Sequence, residues 1–92
     1  MKKNVIFVGE SLMHRASHEK NPVDSCFDKE GQTEAEIIKR VSAALALMYE
    51  YDRTAKDIYA QAKRASEKSG IPIQKFIDEA MQIVYYFESF EE

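Results

Sequence analysis

The chain is 92 residues long, 45% hydrophobic and 32% charged, with a formal charge of -3. That balance excludes the charge-rich, apolar-poor class of disordered chains and provides for one modest core. The acidic total removes broad attraction to a phosphate backbone as the default, although a local basic face can still exist within it.

Cys26 is the only cysteine, which rules out an intramolecular disulfide and suits a reducing cytoplasm. After Lys2 and Lys3 the apolar run Val5, Ile6, Phe7, Val8 is too short for a signal-peptide core or a membrane span, so the expectation is a cytoplasmic protein with no membrane partner. Charge is spread unevenly: residues 1–32 balance at zero, 33–53 sum to -1, 54–71 to +2 and 72–92 to -4.

In chain order, residues 4–8 have β-branched and aromatic character and end at Gly9, which predicts one short strand or extended arm. A lone strand leaves its backbone unpaired, and the same strand of a second copy is one partner for it. From Gly9 to Thr33 the chain is polar and rich in turn formers, with breaks at Asn21-Pro22 and Gly31. Ser11 is placed to cap a short helix reaching about His18, and the remainder is expected to be loop.

Thr33-Glu34-Ala35-Glu36 has the form of a capping box. Ile37, Val41, Ala44, Leu45, Met48 and Tyr51 then recur at spacings of three and four, which predicts an amphipathic helix. Past Ser42 the polar side disappears, because Ala43, Ala46, Leu47 and Tyr49 extend the apolar surface almost all round. Such a helix must be buried on nearly every side.

Asp52-Arg53-Thr54 predicts a tight break, with Thr54 capping a second helix that stops at Gly70. Its expected inward line is Ala55, Tyr59, Ala62, Ser66 and Ser69, widened by Ile58 and Ala65. Pro72 suits the first turn of a third helix. Ile73, Phe76, Ile77, Ala80, Met81, Ile83, Val84, Phe87 and Phe90 form two adjacent apolar lines there, more than one small neighbour can cover. Glu88, Glu91 and Glu92 oppose the dipole at its carboxyl end, so fraying of the last turn is expected.

These elements give a mainly α fold in one domain. Residues 1–32 form an extended arm and long loop, and residues 33–92 a bundle of three principal helices near 34–51, 54–69 and 72–89. Connections this short favour antiparallel neighbours.

The best constellation for a metal or small ligand is His14 and His18 with Asp24, Cys26 and Asp28. No CxxC pair reinforces it, and a solvated loop with two ordinary histidines is the competing reading. Nucleophilic catalysis would need Ser11 or Cys26 activated by His14 or His18. Gly9-Glu10-Ser11 lacks the setting of a GxSxG elbow, however, and neither GxGxxG nor a P-loop follows residues 5–9. The expectation is a protein without catalytic residues or cofactor.

Tyr85, Tyr86 and Phe87, with Tyr49, Tyr51 and Phe90, are the candidates for a partner-binding surface. For Tyr59 and Tyr85 core packing is the favoured reading, while for Tyr49, Tyr51 and Tyr86 core and surface are evenly balanced. Lys56, Lys63, Arg64 and Lys68 give the second helix a basic side, but Asp57 and Glu67 interrupt it and make a solvated face the simpler reading.

Residues 54–84, which run from Thr-Ala-Lys-Asp-Ile-Tyr through Ser-Gly-Ile-Pro-Ile to Phe-Ile-Asp-Glu-Ala-Met-Gln-Ile-Val, resemble the two-helix half of ribbon-helix-helix repressors and antitoxins. Ile58, Ala62, Ala65, Gly70, Phe76, Ile77 and Ala80 would be the matching core positions, over about a third of the chain. The resemblance implies a DNA-reading strand at 49–54, with Tyr49, Tyr51 and Arg53 facing the groove and Glu50 and Asp52 turned inward. Helical periodicity makes the same stretch the end of the first helix.

The leading expectation is therefore a non-enzymatic interaction protein that self-associates through its helical apolar faces and binds a macromolecular partner, most simply a protein. A DNA-binding regulator and a ligand- or metal-binding loop are the alternatives.

Overall fold

Thr33 opens the first long helix by two reciprocal bonds: its side-chain oxygen accepts from the Glu36 amide at 3.1 Å, and its own amide donates to the Glu36 carboxylate at 3.0 Å. The expected capping box is thus formed. The computed structural model describes residues 20–27 and 30–89. Their elements are a short 3-10 helix, Pro22–Phe27, followed by α1 (Glu34–Glu50), α2 (Ala55–Ser69) and α3 (Ile73–Ser89). Among the described residues there is no strand. The expected strand at 4–8 and the short helix after Ser11 lie outside them.

α1 ends in a tight turn. The Arg53 amide donates to the Met48 carbonyl at 3.0 Å, and Asp52 takes a left-handed conformation with φ 62. Glycine usually fills such a position, and aspartate is among the few other residues that tolerate it. Thr54 then caps α2 by accepting from the Asp57 amide at 3.0 Å. Gly70 ends α2 at φ 82, donating to the Ser66 carbonyl at 2.8 Å. Pro72 falls one residue before α3, where its carbonyl accepts from the Lys75 amide at 3.1 Å.

The helices alternate in direction. The starts of α1 and α3 meet in the Glu34–Lys75 ion pair at 3.1 Å, and these two helices pack directly on each other with α2 running back beside them. The core sits where the three helices and the 3-10 helix converge. Phe76, Leu45, Met48, Val23 and Val41 are fully enclosed there, among the small side chains of Ala44, Ala62 and Ala65. Enclosing a side chain of the size of Phe, Leu or Met contributes about 1.5–3 kcal/mol each.

Three features differ from the sequence expectation. The polar stretch before α1, expected to be loop, contains the 3-10 helix. Pro22 fits its first position because the missing amide hydrogen would be unpaired there anyway. Secondly, α2 is rotated. Its enclosed residues are Gln61, Ala62 and Ala65, with Ile58 half-buried beside them, while Ala55 is exposed and Tyr59 is 56% exposed.

Thirdly, two polar residues are buried. Gln61 binds the 3-10 segment: its amide nitrogen donates to the Lys20 carbonyl and the Asn21 side-chain oxygen, each at 3.1 Å, and its oxygen accepts from the Val23 amide at 3.4 Å. The Ser42 hydroxyl donates to the Phe76 carbonyl at 3.4 Å, where α1 and α3 lie close together.

Candidate functional site

α3 carries two apolar lines, and its neighbours cover them incompletely. Phe76 and Ala80 are buried. Met81, Tyr85, Tyr86 and Phe87 remain 48%, 62%, 61% and 45% exposed. The surplus inferred from the periodicity is therefore on the surface of the folded chain.

Part of that surplus lines an open groove of about 190 Å³ where the end of α1, the start of α2 and the second half of α3 converge. Leu45, Ala46 and Tyr49 form one wall, Ile58 stands at the α2 side, and Ile77, Ala80, Met81, Val84 and Tyr85 form the other wall. Glu88 closes one end. The shape follows from side-chain size. Ala46 and Ala80 face the gap with single methyl groups, while Tyr49, Met81 and Tyr85 rise around it.

Beyond Tyr49 and Glu88 the groove continues into a polar hollow formed with Glu50, Asp52 and Arg53. Arg53 lies 3.7 Å from the Asp57 carboxylate, one turn into α2. Neither α1 nor α3 carries a basic residue in its last turn. The partial negative charge of two helix carboxyl ends therefore adds to the carboxylates of Glu50, Asp52 and Glu88. The groove is an apolar floor with an electronegative rim.

Of the candidate aromatic residues, the structure brings Tyr49 and Tyr85 together across this groove. Tyr85 was expected in the core alongside Tyr59; both are instead among the most exposed residues, Tyr59 because α2 is rotated and Tyr85 because it stands on the rim of the groove. Tyr86 and Phe87 pack their rings against each other outside the groove, with centroids 6.1 Å apart and planes tilted by 53°. Tyr51 caps α1 and is 40% exposed. Phe90 and the last two glutamates lie outside the described residues. Met81, Ile58 and Ala46 were not singled out as site residues, although Ile77, Met81, Val84 and Glu88 follow one another at the three- and four-residue spacing of a helical stripe.

The loop constellation divides. His14, His18 and Asp28 lie outside the described residues. Asp24 forms a two-pronged ion pair with Arg64 at 2.7 and 3.0 Å. That hydrogen bonding holds its carboxyl below the ordinary value of 3.8, against the opposing effect of burial and with further help from the charges of Arg64 and Lys68. The Cys26 side chain is buried in the core, and its carbonyl accepts from the Gln32 amide group at 2.9 Å. Both residues join the 3-10 helix to the bundle. Among the described residues no three of His, Cys, Asp and Glu are grouped to hold a metal ion, and no helix is long and apolar enough to cross a membrane.

The stretch that the ribbon-helix-helix resemblance would make a strand is the last turn of α1 as far as Glu50, followed by the turn at Tyr51 and Asp52. Glu50 and Asp52 are exposed. On the basic side of α2, Arg64 is engaged with Asp24, and the Lys68 ammonium lies 5.8 Å from the centre of the Phe27 ring. Comparison with family models, with curated proteins and with solved structures finds no match to this chain.

Proposed function

We propose that this chain is a non-enzymatic interaction protein whose groove between α1 and α3 docks a protein partner. The observation that carries the reading is the groove itself: an open apolar channel flanked by exposed Tyr49, Met81 and Tyr85. Aromatic and methionine side chains around a concave floor combine large contact area with adaptable packing. The described members of the loop constellation support the non-enzymatic side of the reading, because Asp24 and Cys26 serve the fold.

Photo-crosslinking tests it. A photoreactive residue in place of Tyr85, in protein made in its native cells, is expected to yield a discrete adduct with another protein. The same residue in place of exposed Tyr59, away from the groove, is expected to yield none. Equal labelling at both positions, or no adduct at 85, contradicts the reading.

A second reading, self-association, is favoured by the outer line of α3, where Tyr86 and Phe87 stay exposed beyond the groove. Light scattering over a concentration series is expected to show a mass above that of one chain, and Phe87→Asp to restore the single-chain mass. A wild-type monomer throughout the micromolar range contradicts it. DNA binding has less to support it, because the bases would have to be read by a helix end and turn carrying Glu50 and Asp52.

A further inference from the structure

The groove's chemistry narrows its occupant. We infer that the groove accepts a cationic amphipathic helix of a partner protein, which lays an apolar stripe between α1 and α3 and sets lysine or arginine side chains against the carboxylate rim. This inference rests on the groove being the working surface.

Length, shape and charge carry the argument. From Ile77 to Glu88 the α3 wall extends about 16 Å at 1.5 Å per residue, the span of about three turns of a guest helix. Helices bind helical grooves by apolar anchors at three- and four-residue spacing. The walls here, Leu45 and Tyr49 on one side and Ile77, Met81 and Val84 on the other, have that spacing themselves.

The rim then selects the sign. Exposed Glu50, Asp52 and Glu88 stand at the end where two helix carboxyl termini converge, and the nearby cation, Arg53, is paired with Asp57. An anionic guest would meet like charges there, whereas a cationic one would find partners at the edge while its apolar face displaces water from the floor.

The test uses the whole chain and two synthetic, fluorescently labelled helical peptides of about fourteen residues. Both carry leucine at the same three- and four-residue positions; one has lysine on its flanks and the other glutamate. At low salt the lysine peptide is expected to bind about tenfold more tightly than the glutamate peptide, the sum of several modest ion pairs. Added salt should narrow the gap. The double variant Glu50→Lys, Glu88→Lys, which changes only exposed positions, is expected to reverse the preference.

Equal affinities, a preference unchanged by the double variant, or no saturable binding of the lysine peptide would overturn the inference. If neither peptide binds while the crosslink at position 85 still forms, the groove keeps its role and only the occupant's chemistry is wrong. If the crosslink also fails, both readings fall.

Discussion

Gln61 shows how one polar side chain positions a segment that has little apolar surface of its own. Its amide group makes three bonds to residues 20–23 from inside the bundle, so removing it leaves the buried Val23 amide without this partner. Gln61→Leu is expected to lower the free energy of unfolding by about 1–3 kcal/mol, measured by urea denaturation. An unchanged midpoint would mean that water replaces the lost bonds. The Asp24–Arg64 pair acts beside it and has a defined pH signature. Because the folded carboxyl titrates below 3.8, its contribution is fully present above that value and is lost as pH falls through the depressed one. The melting-temperature difference between wild type and Asp24→Asn is therefore expected to be constant near neutrality and to vanish in strong acid. A difference that persists there contradicts the assignment. None of this was legible from local sequence: Gln61 and Lys20 are 41 positions apart and Asp24 and Arg64 are 40 apart. No short-range pattern in the sequence marks Gln61 as buried.

At the scale of the element, what depends on near neighbours was legible. The capping box at Thr33, the cap at Thr54 and the stop at Gly70 each lie within four residues of their partners, and all three form. Gly70→Ala is expected to cost roughly 1–2 kcal/mol, because the left-handed backbone alone opposes a side chain there. No atom lies within 4 Å of the added carbon. Thermal denaturation measures this, and an unshifted melt would mean that the turn relaxes. The face α2 presents was less legible. Ile58, Ala62 and Ala65 lie on the expected face, but the line drawn through Ala55 and Tyr59 turns that face away from Gln61, on the side of the helix that meets residues 20–23. The 3-10 helix was missed because Asn21-Pro22 signals a break and a short helical start equally well.

At the scale of the molecule, the three-helix architecture followed from apolar periodicity and short connections, and so did the excess of apolar surface on α3. The groove did not, because its walls come from α1 and α3 and its depth depends on where Ala46 and Ala80 face each other. Of its acidic rim only Glu88 belongs to the acidic last segment, and Glu50 and Asp52 come from a stretch whose charge is nearly balanced. The acidic residues gain their meaning from the convergence of two helix ends with the apolar floor, which creates a surface with two separable components.

Those components can be set against each other in one variant. Met81→Asp places a further negative charge in the groove at a position that is 48% exposed, where the fold tolerates it, while spoiling the apolar floor. The decisive measurement is the affinity of the lysine-flanked helical peptide for wild type and for Met81→Asp. Docking in the groove predicts weaker binding to the variant despite its greater negative charge. Equal or tighter binding would mean that the peptide responds to charge alone and that the groove is not the site.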